Sequence, residues 1–280
     1  MTRLPTLFVS HGAPTFALEP GLAGPQLERL GRTLERPRAV LVVSPHWMTR
    51  DVAVSSAPMP QTVHDFGGFP EALYGIQYPA PGHPELAQMA ASLLAHAGQR
   101  VALDPQRGLD HGAWVPLRHL YPQADVPVFQ VSMPTTLDPQ SAWSLGEALS
   151  PLSEQGVLIV GSGSLTHNLR EFRQGHGREE TYVQEFVAWM QAAVLGRNRE
   201  LLLQALTRAP HAARAHPTPE HLLPLFVAAG AAAADAPASV VPGGITHGML
   251  SKDSYLFGGP DARADADTSR DEALSVAVGA

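Results

Sequence analysis

Three histidines in this chain follow short apolar runs that are typical of buried strands. They are His11 in TLFVSHGAP, His46 in AVLVVSPHW and His167 in VLIVGSGSLTHN. In open α/β sheets, ligands bind in the crevice beyond the carboxyl ends of the strands. Three imidazoles delivered to that crevice from separate strands predict a metal site or an acid–base site.

His11 and His46 share one local arrangement. In both cases a β-branched strand ends in serine, and the histidine follows one or two residues later beside glycine or proline. Taken alone, each histidine would fit a packing role as well as a ligand role, but the repeated placement favours metal ligation by both. Because the chain contains no cysteine, any metal site must use His, Asp or Glu.

A third ligand is expected in the segment AHPTPEHLLPLF. Thr218 is a good N-cap and Pro219 suits the first position of a helix, which is predicted over Pro219–Ala234. Glu220 and His221 would then lie in the first turn, and only one should face the metal because adjacent helical residues diverge by about 100°. Glu220 would complete the two-histidine, one-carboxylate site typical of non-haem Fe(II) oxygenases, whereas His221 would give a three-histidine site equally suited to Zn(II). A capping turn with surface residues is the structural alternative.

His167 and His111 are candidates for acid–base roles beside the metal. His167 lies in GSGSLTHN, where Gly161 and Gly163 permit a turn and a close approach of another backbone segment. A histidine that does not bind the metal can serve as general base, since its ordinary pKa is close to neutral. His111 lies in GLDHGAWVPL and could act with it. A serine hydrolase is disfavoured because GSGSL lacks the G-x-S-x-G elbow.

Composition narrows the class of protein. The hydrophobic fraction of 44%, charged fraction of 16% and formal net charge of −7 are those of a soluble globular protein. No cluster of Lys and Arg is present, which argues against nucleic acid and anionic membranes as partners. No apolar run approaches about 18 residues, and the run before His11 is too short for a signal peptide, so a cytoplasmic location is predicted.

Strand-like and helical segments alternate along the chain. The predicted strands are Thr6–Ser10, Ala39–Ser44, Val52–Ser55, Val126–Ser132 and Val157–Gly161. The predicted helices are Pro84–Ala97, Pro139–Ser150, Glu179–Leu195, Arg199–Thr207 and Pro219–Ala234. Continuous apolar strands alternating with amphipathic helices predict one α/β domain with a mainly parallel central sheet and helices on both faces.

Two segments fall outside this alternation. Ala57–Gly82 is rich in Pro, Gly and aromatic residues, and ordered loops of that length are usually functional, so we expect it to form one wall of a pocket. Three of its side chains could face an aromatic substrate ring: Phe66, Phe69 and Tyr74. Gly259–Ala280 is small and acidic and offers little apolar area, so it is predicted to be a tail that the domain over 1–258 does not need.

Segments that together span residues 10–258 resemble the class III (LigB-like) extradiol ring-opening dioxygenases, in the branch that includes the DOPA 4,5-dioxygenases. They include SHGAPTFAL, VVSPHW, GLDHGAWVPL, GSGSLTHNL and HPTPEHLLPLF, of which GLDHGAWVPL and the SHG/PHW pair are the most specific. The resemblance implies a single α/β domain with one mononuclear non-haem divalent metal. By matching segments, it implies that the metal ligands are His11, His46 and His221. It also implies that His167 is the acid–base residue and that His111 stabilises dioxygen or a substrate oxygen. More distant members use a glutamate as third ligand, which leaves Glu220 in reserve.

The reaction implied by the resemblance is the opening of a catechol ring by O2, beside rather than between the two hydroxyls. Fe(II) is expected as the working metal, although the same ligands suit Zn(II). The competing class is a zinc-dependent hydrolase on the same scaffold, and a metal kept only for structure is a third interpretation. Candidate partners for a substrate carboxylate are Arg118, Arg170 and Lys252, although each fits a surface charge better. The sequence leaves open which catechol is used and whether the chain forms a homo-oligomer.

Overall fold

The computed structural model of the chain describes residues 3–174 and 180–259. The strands are β1 Thr6–Ser10, β2 Ala39–Thr49, β3 Val52–Ser55, β4 Val101–Asp104, β5 Val128–Pro134, β6 Val157–Gly163, β7 Ala238–Val241, β8 Ile245–Thr246, β9 Leu250–Ser251 and β10 Ser254–Phe257. The helices are α1 Ala23–Thr33, α2 Pro84–His96, α3 His111–Leu120, α4 Pro139–Leu149, α5 Leu169–Gln174, α6 Thr181–Leu195, α7 Arg199–Leu203, α8 Ala205–Arg208, α9 Ala212–Ala215 and α10 Leu223–Ala231.

Eight of these strands form one sheet in the order β4-β3-β5-β2-β6-β1-β10-β7. Neighbours pair in parallel in the centre, where β6 lies between β2 and β1 and β5 lies on the other side of β2. Strand β10 is antiparallel to β1 and β7, and β3 meets β5 in an antiparallel bridge. The predicted single α/β domain with a mainly parallel sheet is confirmed, and its central parallel strands end side by side at one edge.

Helices cover both faces of the sheet, which explains why its central strands are apolar at every position. Along β2, Val40 and Val42 pack in the core beneath α1 and α3, whereas Leu41 and Val43 pack on the opposite face beneath α2, α4, α6 and α10. All nine residues of α10 are buried, so this helix lies inside the second layer rather than on its surface. The predicted layers on both faces are therefore present.

Several element boundaries differ from the sequence prediction. Strand β2 continues to Thr49, beyond the predicted end at Ser44, because its pairing with β5 is interrupted and resumes at Met48. The predicted helix Arg199–Thr207 is divided into α7 and α8 at Gln204. The prediction also missed α1, α3, α5, α9 and the strands β4 and β7 to β10, and all of these except α1 and α3 are six residues or shorter.

The segment Ala57–Gly82 contains one short 3₁₀ turn, Glu71–Leu73, and is otherwise irregular, as expected of a shaped loop. In the described ranges, 3–174 and 180–259, no helix is both long and apolar enough to cross a membrane. Apart from Gly259, the predicted tail Gly259–Ala280 lies outside the described residues. That the domain does not need this tail stays a prediction, as does the domain boundary after Gly258.

Candidate metal centre and active site

Three imidazoles converge at the carboxyl ends of the central strands. His11, His46 and His221 each offer a ring nitrogen within 4.8 Å of those of the other two. The Nε2 atoms of His11 and His46 lie 3.1 Å apart. The structure therefore brings together the three histidines named from the sequence, while their role as metal ligands stays a prediction.

His11 follows β1 and is held by the neighbouring strand β6. Its backbone N–H donates to the Gly163 carbonyl at 2.9 Å, and its Nδ1 lies 3.0 Å from the Ser162 hydroxyl oxygen. That hydroxyl donates its own proton to the Gly112 carbonyl, so it accepts from an Nδ1–H of His11. The Nε2 of His11 therefore carries the lone pair.

His46 lies on the irregular part of β2 and packs against the start of α3. A Cβ on Gly112 would be 2.3 Å from Ser44 Oγ and 3.0 Å from His46 Cδ2, so any larger residue there would have to displace these side chains. The Nδ1 of His46 faces the Asp65 carboxylate at 3.4 Å. Since this negative charge favours a proton on Nδ1, the lone pair of His46 is also on Nε2.

His221 reaches the site from a turn, not from the first turn of a helix as predicted. The expected helix start at Pro219 is wrong, because α10 begins at Leu223. The Thr218 hydroxyl donates to the Glu220 side chain instead of capping a helix. The His221 carbonyl accepts from the Ser164 N–H at 2.8 Å, which holds this turn against the end of β6.

Glycines at the end of β6 allow that close approach. A Cβ on Gly163 would be 2.1 Å from the His221 carbonyl oxygen, and one on Gly161 would be 2.0 Å from that of Pro224. The predicted close backbone approach at these two glycines is therefore present, although both lie in the strand rather than in a turn. The contact sets the distance of the His221 turn from the sheet.

Glu220 lies beside His221 rather than replacing it. Its Oε1 is 3.1 Å from His221 Nδ1, and it forms a group with His167 and His221 instead of with the first two histidines. Burial opposes ionisation of Glu220, but hydrogen bonds from His221 and its surroundings lower its pKa to about 2. The carboxylate keeps a proton on Nδ1 of His221 and leaves Nε2 with the lone pair. A carboxylate behind a ligating histidine is the usual outer partner of a metal site.

The electrostatics of the three imidazoles favour a bound cation. Burial, reinforced by the neighbouring histidines, lowers the pKa of His11 far below its ordinary value. Burial likewise lowers the pKa of His46 to about 4 and that of His221 to about 3, so all three rings are neutral at pH 7. Two Nε2 lone pairs facing each other across 3.1 Å repel unless a cation lies near both. The donor set therefore fits a divalent metal such as Fe(II) or Zn(II).

His167 lies directly against this group. Its ring stacks on the His221 ring with centroids 3.5 Å apart and planes 12° from parallel. With Glu220 it lines a cavity of about 450 Å³, and the residues found to line that cavity do not include His11, His46 or His221. Burial is the main reason that the pKa of His167 falls to about 4, so its ring is neutral and able to accept a proton.

His111 is the first residue of α3, which the Asp110 carboxylate caps through the Ala113 N–H at 3.2 Å. Its ring centroid is 3.9 Å from that of His46 and 5.4 Å from that of His11. The ring therefore lies beside the candidate metal ligands. With His46 and Asp65 it forms a second group whose possible ligand atoms lie within 4.8 Å of one another.

Aromatic residues of the segment Ala57–Gly82 adjoin the same group. The ring of Phe66 meets His111 edge-on at 5.6 Å between centroids, and it contacts Phe69 at 5.6 Å and Tyr74 at 5.3 Å. These contacts place Phe66 beside the histidines, while the role of the segment as a pocket wall stays a prediction.

Sequence reasoning missed two residues that position these histidines and misjudged a third. Ser162 and Asp65 carry no signal beyond their polarity, since one lies inside an apolar strand and the other in an aperiodic loop.

The sequence favours a surface charge for Lys252, but this residue is 4% exposed, and its Nζ donates to the His11 carbonyl at 2.7 Å. Its Nζ also lies 3.5 Å from the centre of the Phe16 ring, and burial lowers the pKa of Lys252 well below its ordinary value. By contrast, Arg170 is exposed and lines the cavity with His167.

Gly112 gives a first test of this geometry. We expect Gly112→Ala to lower affinity for Zn(II) about 10-fold, because the new Cβ would push against Ser44 and His46, and displaced outer contacts typically cost 10–100-fold. The measurement is calorimetric titration of the metal-free protein. Gly75→Ala is the matched control, since its nearest neighbour would be 3.8 Å away. Equal affinity in both variants would show that His46 does not depend on this contact.

Comparison with known proteins identifies the family. A family model described as the catalytic LigB subunit of aromatic ring-opening dioxygenase matches residues 8–258. The chain is 40% identical over 256 residues to a 4,5-DOPA dioxygenase extradiol of Beta vulgaris, covering 90% of this chain and 96% of the relative. It is 38% identical over 262 residues to a protein of the same name from Escherichia coli strain K12, with coverage of 92% and 96%.

A solved structure has the same fold. The crystal structure of an uncharacterized protein, JW3007, from Escherichia coli K12 matches with a TM-score of 0.75 and 32% identity, covering 91% of this chain and 100% of that one. The relatives named here by function are dioxygenases, so they give no support to the zinc hydrolase alternative. LigB-type dioxygenases are metal-dependent, which agrees with the histidine group. The chain therefore belongs to the LigB family of extradiol aromatic ring-opening dioxygenases.

Proposed function

We propose that this enzyme opens the ring of a catechol with O2 beside its two hydroxyls, using a divalent metal held by His11, His46 and His221. The observation that carries the proposal is the convergence of three neutral imidazoles, each with its Nδ1 facing an oxygen atom and its Nε2 lone pair available. Three ligands from one side leave other positions open for a chelating substrate and O2.

The metal is proposed to be Fe(II). When bound, it would lower the pKa of the catechol and hold catechol and O2 within reaction distance. Zn(II) fits the same ligands but has no redox chemistry with O2, so it would give a filled but inactive site.

His167 is proposed as the general base. Its neutral ring stacks on that of His221, a proposed metal ligand, which supports a role in taking a proton from a catechol hydroxyl. The same ring would return that proton as the ring opens. His111 lies next to His46 and is proposed to bind a substrate or dioxygen oxygen.

The substrate is proposed to be a catechol with a charged side chain. Several relatives are named 4,5-DOPA dioxygenase, so L-DOPA is the first compound to test. Arg170 supports a carboxylate on the substrate, since it is exposed on the cavity that His167 lines. Phe66 provides an apolar edge for the aromatic ring.

Anaerobic loading of metal-free enzyme tests the proposal. We expect protein loaded with Fe(II) to consume O2 and form a yellow ring-opened semialdehyde when air and a catechol are added, and protein loaded with Zn(II) to do neither. Oxygen uptake and visible absorbance are followed together. Turnover only with Zn(II), on an ester or amide, would contradict the dioxygenase and establish the hydrolase.

A further inference from the structure

Asp65 contacts two histidines of the site at once. Its Oδ2 lies 3.0 Å from His111 Nδ1 and 3.4 Å from His46 Nδ1, and its Oδ1 accepts from the His111 backbone N–H at 2.8 Å. Both carboxylate oxygens of Asp65 therefore face N–H groups of His111, one on its ring and one on its backbone. One carboxylate thus faces both a proposed metal ligand and a histidine outside the proposed ligand set.

The loop that carries Asp65 is fixed in place. The Val63 N–H donates to the Leu109 carbonyl at 2.8 Å, and the Val63 carbonyl accepts from Trp114 Nε1 at 3.0 Å. Both contacts join the loop to the segment that begins α3, which also carries His111. The side chain of Asp65 is 21% exposed, so its position depends on these contacts rather than on deep burial.

We propose that Asp65 is a positioning residue that holds His46 and His111 together in their Nδ1–H forms. The proposal rests on the metal site of the proposed function. In His46, a proton on Nδ1 leaves the Nε2 lone pair for the metal. In His111, the same form makes Nε2 a hydrogen-bond acceptor, suited to a substrate hydroxyl. A single loop residue thereby couples metal binding to the substrate side of the site.

An amide cannot replace this carboxylate, although it has the same shape. If the amide oxygen of the Asp65→Asn variant accepted from the His111 backbone N–H, its NH2 group would face the two Nδ1–H groups, donor against donor. If the amide were flipped, the same conflict would arise at the backbone. The substitution should therefore drive His111 toward its Nε2–H form and favour the same change in His46. The Nε2 of His46 would then be unavailable to the metal.

The test uses full-length, metal-free protein and does not depend on turnover. Long-range ¹H–¹⁵N spectra of ¹⁵N-histidine protein distinguish the two neutral forms, and His111→Ala assigns its signals. In the wild type we expect Nδ1–H at both rings, and in Asp65→Asn we expect Nε2–H at His111. Calorimetric titration with Zn(II) alone should show about 10–100-fold weaker binding in the variant. Asp125→Asn is the control, because it removes the same charge from an exposed ion pair with Arg36.

Unchanged histidine forms in Asp65→Asn, or Zn(II) affinity equal to that of Asp125→Asn, would overturn the proposal. If Asp65→Asn fails to fold, Asp65→Ala replaces it in the test. The alanine side chain neither donates nor accepts a hydrogen bond, so His111 should show a mixture of its Nδ1–H and Nε2–H forms. Failure of the proposed function has a different signature. It would leave wild-type spectra and Zn(II) binding as expected, while the Fe(II) enzyme failed to open catechols.

Discussion

Replacing His11 by alanine is expected to lower metal affinity by more than about 100-fold and to reduce catechol turnover to background. Changes to the outer partners of metal-ligating histidines typically cost 10–100-fold, and loss of a ligand itself should cost more. His11 is 1% exposed and lies between Ser162 and His46, so no other donor can move into its place without disturbing β1 or β6.

Metal binding and folding need to be measured together for this variant. Calorimetric titration with Zn(II) gives the affinity, and thermal unfolding of the metal-free protein gives the stability. His96→Ala is the control, since His96 is exposed at the end of α2 and its ring contacts only the Ser92 carbonyl among the partners found for it. Wild-type affinity in His11→Ala would contradict the assignment of the metal site.

Replacing His167 by alanine should separate chemistry from metal binding. We expect Zn(II) affinity to stay within about 10-fold of wild type, because His167 stacks on His221 without belonging to the converging group of three. Turnover of the Fe(II) enzyme should fall on the order of 10²–10⁴-fold, the usual effect of losing a general acid–base residue. The readouts are Zn(II) titration of the metal-free protein and initial rates of O2 consumption.

The group formed by His167, Glu220 and His221 supplies the opposing hypothesis for this variant. Their ligand atoms also lie within 4.8 Å of one another, so a metal could bind there. Loss of metal from His167→Ala would make His167 a ligand and would remove it from the general-base role. If the variant retains the metal and wild-type turnover, another residue must transfer the proton, and His111 is the next candidate.

The sequence was most informative where strands are buried on both faces. The boundaries of β1 and β3 were predicted correctly because continuous apolar runs ended in serine at both positions. Parallel strands end at a common edge, so the proximity of His11 and His46 followed from their places after two such runs. Pattern and topology together thus located the centre of the site.

The rest depended on contacts between distant parts of the chain. The His221 turn is held by Ser164 and packed over Gly163, so a helix predicted from Thr218 and Pro219 began too early. Asp65 lies in a loop without periodicity, and only the folded chain shows that it faces two histidines. Lys252 is buried with its Nζ against the His11 carbonyl and the Phe16 ring, a pairing that no local pattern indicates.

The most direct test of the proposed dioxygenase is the origin of the oxygen atoms in the product. Enzyme loaded with Fe(II) is given a catechol under ¹⁸O2. The semialdehyde product is reduced at once, before its carbonyl oxygen exchanges with water, and its mass is then measured by mass spectrometry. The proposal predicts two labelled oxygen atoms in each ring-opened product and none from H2¹⁸O. A product whose new oxygen came from water would contradict it.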